Sequence, residues 1–321
     1  MDYKAVRQSL RGPGALISTI FRDDFELKPE GIESNVRAMV KRGFGSTGGF
    51  IIAPCGDGEY VTLTPEEIGQ VVAAAKRGSD GRLPIVAGVH TADFRLASRA
   101  AQAARDAGAV AVMLAPPSYY ALSREAVIDW YERFAKSVDI GIMLYEQGFR
   151  GPAVNSGMSA DLVGRLIEIP SVVAIKHIGI FAVVDEFTII DRYHDKLAYI
   201  DSSGGYATTA GHMHGAAGWV TELGPIWPEF EMKYWDLLEA GDYKTAQLHR
   251  HKMAPLYQFV MDHPSTTSAY SWITVIKAAL EYIGLEGGPV RPPFRELNAA
   301  EKKTIFDLLD GLGVPKGRAN A

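Results

Sequence analysis

The chain has 321 residues, 47% hydrophobic and 22% charged, with a formal net charge of -5. That composition suits a globular protein with a substantial core and offers no basic surface to neutralise a nucleic-acid backbone, so no nucleic-acid partner is expected. No uninterrupted apolar stretch reaches signal-peptide or membrane-spanning length, so the expectation is a cytoplasmic protein with no membrane partner. The single cysteine, Cys55, excludes an intrachain disulfide and a thiolate metal cage.

Short runs rich in Val, Ile and Leu recur in chain order, each followed by a segment of helical periodicity. They are GALISTI (14–20), GGFIIAP (48–54), PIVAGV (84–89), AVAVMLAP (109–116), IGIMLYE (140–146), VVAIKHI (172–178), LAYIDS (197–202) and GWVTEL (218–223). Thr64-Pro65-Glu66-Glu67 and Ser123-Arg124-Glu125 read as helix N-caps with acidic first turns, and Gly43 and Gly108 as helix closures. Eight strand–helix units predict an α/β fold, a (β/α)8 TIM barrel over 1–228, with an open doubly wound sheet as the alternative. From 229 the strand signal ends. Helices are predicted over 229–241, 243–262, 269–284 and 298–312, making 229–321 a C-terminal helical appendage.

Active sites of such barrels lie where strands end and the following loops begin. Lys176 ends the run Val172-Val173-Ala174-Ile175, which has the marks of a strand buried on both faces, where an unpaired ammonium is expensive. Desolvation favours the neutral amine that attacks a carbonyl, so one reading is a Schiff-base nucleophile. The other is a lysine paired to a carboxylate or snorkelling from the strand end. Tyr145 ends the preceding strand, close to Lys176 in a barrel, and either shuttles protons or fills the core with one hydrogen bond. Arg150, farther along that loop, either clamps a carboxylate or is solvated.

Gly56, Asp57 and Gly58, with Glu59, lie between a strand and the helix starting near Thr64, where glycines let N–H groups converge on an anion. The Lys-Ser/Thr ending of a phosphate loop is missing. Tyr119 and Tyr120 reach either the barrel mouth or a neighbouring subunit. His212 with His214, and His249 with His251, have a spacing that a helix sends to different faces, so no metal is expected. Cys55 reads as a packing residue; a nucleophilic role needs a histidine, and His90 is the nearby candidate.

Several of these segments, in the same order, resemble the dihydrodipicolinate synthase and N-acetylneuraminate lyase family of class I aldolases. The opening GALISTIFRDDFELKPEGIESNVRAMVKRG is similar to its first strand and helix, with Thr19-Ile20-Phe21 where Thr-Pro-Phe is usual. Gly56-Asp57-Gly58-Glu59 followed by Leu63-Thr64-Pro65-Glu66-Glu67 resembles its Gly-Thr-Thr-Gly-Glu loop. LAPPSYYALSREAV resembles its Pro-Pro-Tyr-Tyr segment, Tyr145 with Arg150 its tyrosine and arginine, VVAIKHIG its lysine strand, and IKAALEYIGLEGGPVRPPFREL its C-terminal helix and connector. The resemblance implies a homo-oligomer, dimer or tetramer, that needs no cofactor and attacks C2 of pyruvate or a longer 2-oxo acid. It implies Lys176 as the Schiff-base residue and Tyr145 as the proton shuttle, with Gly56, Asp57, Gly58, Tyr119 and Arg150 binding substrate. Lys277, on the C-terminal helix, carries no nucleophile in this pattern.

The departures narrow the expectation. Gly56-Asp57 replaces the family's hydroxyl pair, so the synthase's relay of hydroxyls does not carry over. Asp57 repels a substrate carboxylate unless it is protonated or turned away, or else works as an acid or base on a sugar hydroxyl. Glu146 stands where asparagine is common and His177 where an acidic or small residue is common; alternation turns His177 off the barrel axis. These changes point away from 4-hydroxy-tetrahydrodipicolinate synthase proper. They point toward a lyase, an aldolase or dehydratase, for a 2-oxo-3-deoxy sugar acid or an aromatic-substituted analogue. The rivals are the synthase itself, a barrel turned binding or regulatory protein, and a pyridoxal-phosphate barrel, for which no phosphate loop is found.

Overall fold

A computed structural model describes residues 1–117, 122–146, 158–178, 183–263 and 270–317. All eight runs form parallel strands: β1 (Gly12–Leu16), β2 (Phe50–Ile52), β3 (Ile85–Val89), β4 (Ala111–Leu114), β5 (Gly141–Tyr145), β6 (Val172–His177), β7 (Ala198–Asp201) and β8 (Gly218–Thr221). They pair in sequence order, and β8 closes on β1 from Gly12↔Gly218 to Ala15↔Thr221. This closure excludes the open sheet. It depends on glycine at the seam, because a Cβ on Gly218 would stand 2.0 Å from the Gly12 carbonyl oxygen.

Ahead of the barrel runs a short helix, α1 (Tyr3–Ser9), which the periodicity did not reveal. Its Val6, with Leu10, packs into the barrel interior beside Leu16, Phe50, Ile52, Met113, Met143, Val173, Ile200 and Val220. Outside the strands lie α2 (Pro29–Lys41), α3 (Pro65–Gly78), α4 (Phe94–Ala107), α5 (Arg124–Ser137), α6 (Ala160–Leu166), α7 (Val183–Tyr193) and α8 (Thr208–Met213). The predicted caps form: Thr64 and Glu67 make a reciprocal capping box, Ser123 accepts from the Ala126 N–H, and Gly108 ends α4 at a φ of 103°.

The C-terminal part begins with α9 (Pro228–Glu239), whose Met232, Tyr234, Trp235 and Leu238 join the core between the strands and the outer helices. It fills the place of the eighth outer helix, and the expected boundary at 228/229 falls in its first turn. The single helix expected over 243–262 is two, α10 (Tyr243–His251) and α11 (Ala254–Asp262). Pro255 has no N–H for a continuing helix and instead occupies the first turn of a new one. With α12 (Trp272–Tyr282) and α13 (Ala299–Leu312), these helices build a second core around Leu223 and Ile226 of the loop after β8. That seats the appendage on the loops at the strands' C-terminal ends.

Candidate active site

Lys176 and Tyr145 are brought level by a bulge. β5 and β6 pair Ile142 with Val172 but Met143 with Ala174, so one extra β6 residue is inserted and Tyr145 lies opposite Lys176. Without it, Tyr145 would face Ile175, which points into the outer core. The Glu146 N–H donates to the Lys176 carbonyl at 3.1 Å and fixes this register. Lys176 is 6% exposed, and its Nζ stands 4.1 Å above the centroid of the Tyr145 ring. The contact is through the ring face, a cation–π arrangement.

The loop after β2 is a chain of tight turns. The N–H groups of Gly58 and Tyr60 donate to the Cys55 carbonyl and that of Glu59 to the Gly56 carbonyl, each at 3.1 Å. These donors are used within the loop, which differs from the open anion cradle its glycines allow. Glycine at 58 is a matter of space: a Cβ there would lie 2.5 Å from the Ile17 carbonyl oxygen, while the Thr19 hydroxyl donates to the Gly58 carbonyl at 2.5 Å. Cys55 is buried with its Sγ against the Ile17 carbonyl, and burial, helped by the charge of Asp57, pushes its thiol far up. It is a packing residue, not a thiolate nucleophile.

Glu222 follows β8 and is 8% exposed. The Tyr257 phenol of α11 donates to its Oε2 at 3.0 Å. Burial first and the charge of Asp57 second push this carboxyl up to about 7, against the hydrogen bond from Tyr257 and the charge of Lys176. Asp57 and Lys176 thus both act on Glu222 where the strands end.

The turn loop is tied to the C-terminal helices through Glu59, which is 0% exposed. Its Oε1 lies 2.7 Å from Lys277 Nζ and its Oε2 accepts from the Arg291 N–H at 2.8 Å. Lys277 also donates to the Pro289 carbonyl at 2.5 Å, and Arg291 reaches Glu67 at the start of α3. Phe21 lies beneath both cations, 4.8 Å from Lys277 Nζ and 4.2 Å from the Arg291 guanidinium carbon.

His177 sits on the outer side of β6, its Nδ1 2.9 Å from the Tyr199 hydroxyl on β7. Burial pushes it down to about 4, opposed by Asp185. Glu186 of α7 is pushed up to about 7 by burial and the charge of Asp201. Asp201 is raised by burial despite donors from Thr208 and Ser203.

Among the sequence candidates, Lys176 and Tyr145 come together and Asp57 lies within electrostatic reach of Glu222. Tyr119, Tyr120 and Arg150 fall outside the described residues. The histidine pairs spread apart as their spacing predicts: His212 meets Glu239 at 3.1 Å, His214 meets Asp191 at 2.8 Å, and His249 meets the Phe230 carbonyl at 2.9 Å. Among the described residues no three His, Cys, Asp or Glu side chains gather as a metal site, and no helix is long and apolar enough to cross a membrane. Glu222 received no role from the sequence, although an acid ending the apolar run GWVT carries the same signal as Lys176. Tyr257 gave no signal at all.

A model described as the dihydrodipicolinate synthetase family matches residues 10–311. A relative from Methanoculleus marisnigri, named 4-hydroxy-tetrahydrodipicolinate synthase, is 30% identical over 92% of this chain and 96% of its own. One from Rhizobium rhizogenes, named "Probable 5-dehydro-4-deoxyglucarate dehydratase", is 28% identical over 93% of this chain and 95% of its own. A solved dihydrodipicolinate synthase from Acinetobacter baumannii, complexed with pyruvate, superposes with a TM-score of 0.83 at 25% identity, covering 95% of this chain and all of that one. The synthase from Oceanobacillus iheyensis superposes at 0.84 with 20% identity, over 98% of this chain and 100% of that one, a likeness of fold.

Proposed function

The chain belongs to the dihydrodipicolinate synthetase family, and on that premise we propose that Lys176 is the nucleophile with which this lyase forms a Schiff base on a 2-oxo acid. The observation that carries the reading is the place of the amine. Lys176 Nζ lies at the strand end over the Tyr145 ring, and no carboxylate of the described residues forms an ion pair with it. A lysine kept as a structural cation is normally paired when buried. The buried lysine that is paired, Lys277 with Glu59, serves that structural purpose.

The unprotonated amine adds to the C2 keto carbon, the carbinolamine loses water, and the resulting protonated imine accepts electrons from C3. Tyr145 carries protons to and from the carbinolamine oxygen. The same imine supports carbon–carbon cleavage, condensation with an aldehyde, or loss of a β-hydroxyl. Relatives named for a synthase and for a dehydratase fit this common intermediate. Asp57, Gly56 and Gly58 of the β2 loop, with Tyr119 and Arg150, complete the proposed substrate site. A homo-oligomer, dimer or tetramer, a cytoplasmic location and a C-terminal helical domain over 229–321 belong to the same proposal.

The test is reduction of a pyruvate mixture with borohydride, followed by peptide mass spectrometry. A stable adduct on the Lys176 peptide is expected, absent from Lys176→Ala. A folded wild-type protein that traps neither pyruvate nor a longer 2-oxo acid refutes the assignment.

A further inference from the structure

Glu222 has no part in imine formation, yet it is built into the same mouth. Thr221, the last residue of β8, accepts the N–H groups of Leu223 at 3.0 Å and Gly224 at 3.2 Å, so the chain turns immediately after the strand. Tyr257 holds Oε2 from the C-terminal helices. Asp57, in the loop after β2 at the same end of the barrel, occupies the position where the sequence lacks the family's hydroxyl pair, and its charge acts on Glu222. Two carboxyl groups that interact, one of them buried, do not readily ionise together; one keeps a proton. The burial of Glu222 and the direction of its shift make it the holder.

We propose that Glu222 is the acid that protonates the departing C4 hydroxyl of a 4-hydroxy-2-oxo acid held as an imine on Lys176, whose carbons beyond C4 bear hydroxyls rather than a second carboxylate. This rests on the Schiff-base reading of Lys176. In the step itself, loss of the C3 proton leaves its electron pair as the C2–C3 double bond of an enamine. The nitrogen lone pair then re-forms the C2–N double bond, and the C2–C3 pair moves to make C3–C4 double. The C4–O bond breaks toward oxygen, which takes the proton from Glu222 and leaves as water. Hydrolysis of the conjugated imine frees an unsaturated 2-oxo acid, and Glu222 recovers a proton from solvent in place of the one lost at C3. The charge of Asp57 sets the substrate class, because a terminal carboxylate brought into this mouth is repelled while hydroxyls can donate to it.

The experiment uses the full-length protein, pyruvate for borohydride trapping, and three turnover probes: five- and six-carbon 3-deoxy-2-oxo aldonic acids and the six-carbon diacid counterpart. Turnover is read by mass spectrometry as a product lighter by one water. The expected wild-type result is trapping on Lys176, dehydration of the aldonic acids in preference to the diacid, and a rate that falls as pH rises through the titration of Glu222. Glu222→Gln should still trap pyruvate while its dehydration rate falls by about a hundredfold or more and the alkaline fall disappears. Tyr257→Phe removes a bond that favours the carboxylate and moves the fall to higher pH; Asp57→Asn removes the opposing charge and moves it lower. These two shifts keep the assignment testable if Glu222→Gln does not fold. The proposal is overturned if Glu222→Gln dehydrates within about threefold of wild type, or if neither other variant moves the pH profile. It is equally overturned if a trapping wild type dehydrates none of the aldonic acids or prefers the diacid. Each of those results leaves Lys176 as the nucleophile; failure to trap any 2-oxo acid removes both readings.

Discussion

Replacing Lys277 with methionine keeps the length of the side chain and removes its charge from a site that is 3% exposed. Glu59, at 0% exposure, then keeps the Arg291 N–H at 2.8 Å but loses the cation at 2.7 Å. Stranding a buried partner in this way costs about 3–5 kcal/mol. For a chain of 321 residues the unfolding entropy is about 0.7 kcal/mol per degree, so the midpoint should fall by roughly 4–7 °C. The contrast is Lys302→Met, whose pair with Glu281 is one-third exposed on each side and should cost about 1 kcal/mol or less. Calorimetry or urea unfolding of Lys277→Met, Glu59→Gln and the double variant is the assay. The double variant, with no stranded charge, should be more stable than the sum of the single losses predicts, by about 1–3 kcal/mol. Strict additivity, or a Lys277→Met loss no larger than that of Lys302→Met, would refute the buried pair as the tie that holds the β2 loop.

Tyr145→Phe keeps the ring over Lys176 and removes the phenol, so pyruvate trapping should persist at a reduced rate while turnover falls by about a hundredfold or more; equal turnover would remove the shuttle role. His177 is held near 4, below the ordinary 6.5, so the unfolded chain takes up its proton first as pH falls. The stabilisation is intact above the unfolded value and is lost on the way down to the folded one, roughly 2 kcal/mol of it between pH 7 and pH 5. Wild type should therefore lose more than His177→Gln over that interval in urea titrations, and parallel losses would count against the shift. Glu186 runs the other way: its folded value near 7 lies above the ordinary carboxylate value, so stability is lost as pH rises toward 7. Glu186→Gln, compared with wild type at pH 5 and pH 8, should gain on the order of 2 kcal/mol at the higher pH, and no differential gain would contradict it.

The barrel was legible because its evidence is local. Each strand is buried on both faces and so reads as an unbroken apolar run, each helix carries its stripe and caps, and the glycines at 12 and 218 allow the seam. The same logic found Lys176, an amine ending such a run, and Tyr145 on the neighbouring strand. It could not foresee the bulge between Ile142 and Met143 that sets them level, because register depends on pairing between strands. Nor could it divide 243–262 without giving Pro255 more weight than the surrounding periodicity. Lys277 was set aside as a nucleophile on the resemblance alone, and its bond to Glu59 joins positions that only the folded chain brings together.

This difference in legibility follows a division of labour. The groups proposed to make the imine lie on adjacent strands and are fixed by the barrel interior. Those proposed to act on the rest of the substrate come from distant segments: Asp57 after β2, Glu222 after β8, and Tyr257 on α11. The β2 loop that carries Asp57 is held by Glu59 to Lys277 and Arg291 in the C-terminal part. A substitution at Lys277 therefore changes more than a surface charge, and such a variant is not a neutral control for Lys176. If the tie transmits to chemistry, Lys277→Met should leave trapping at Lys176 intact while lowering turnover of a longer 2-oxo acid, since the strand lysine stays in place while Asp57 shifts. Equal loss of trapping and turnover would instead mean that the barrel interior itself depends on the appendage.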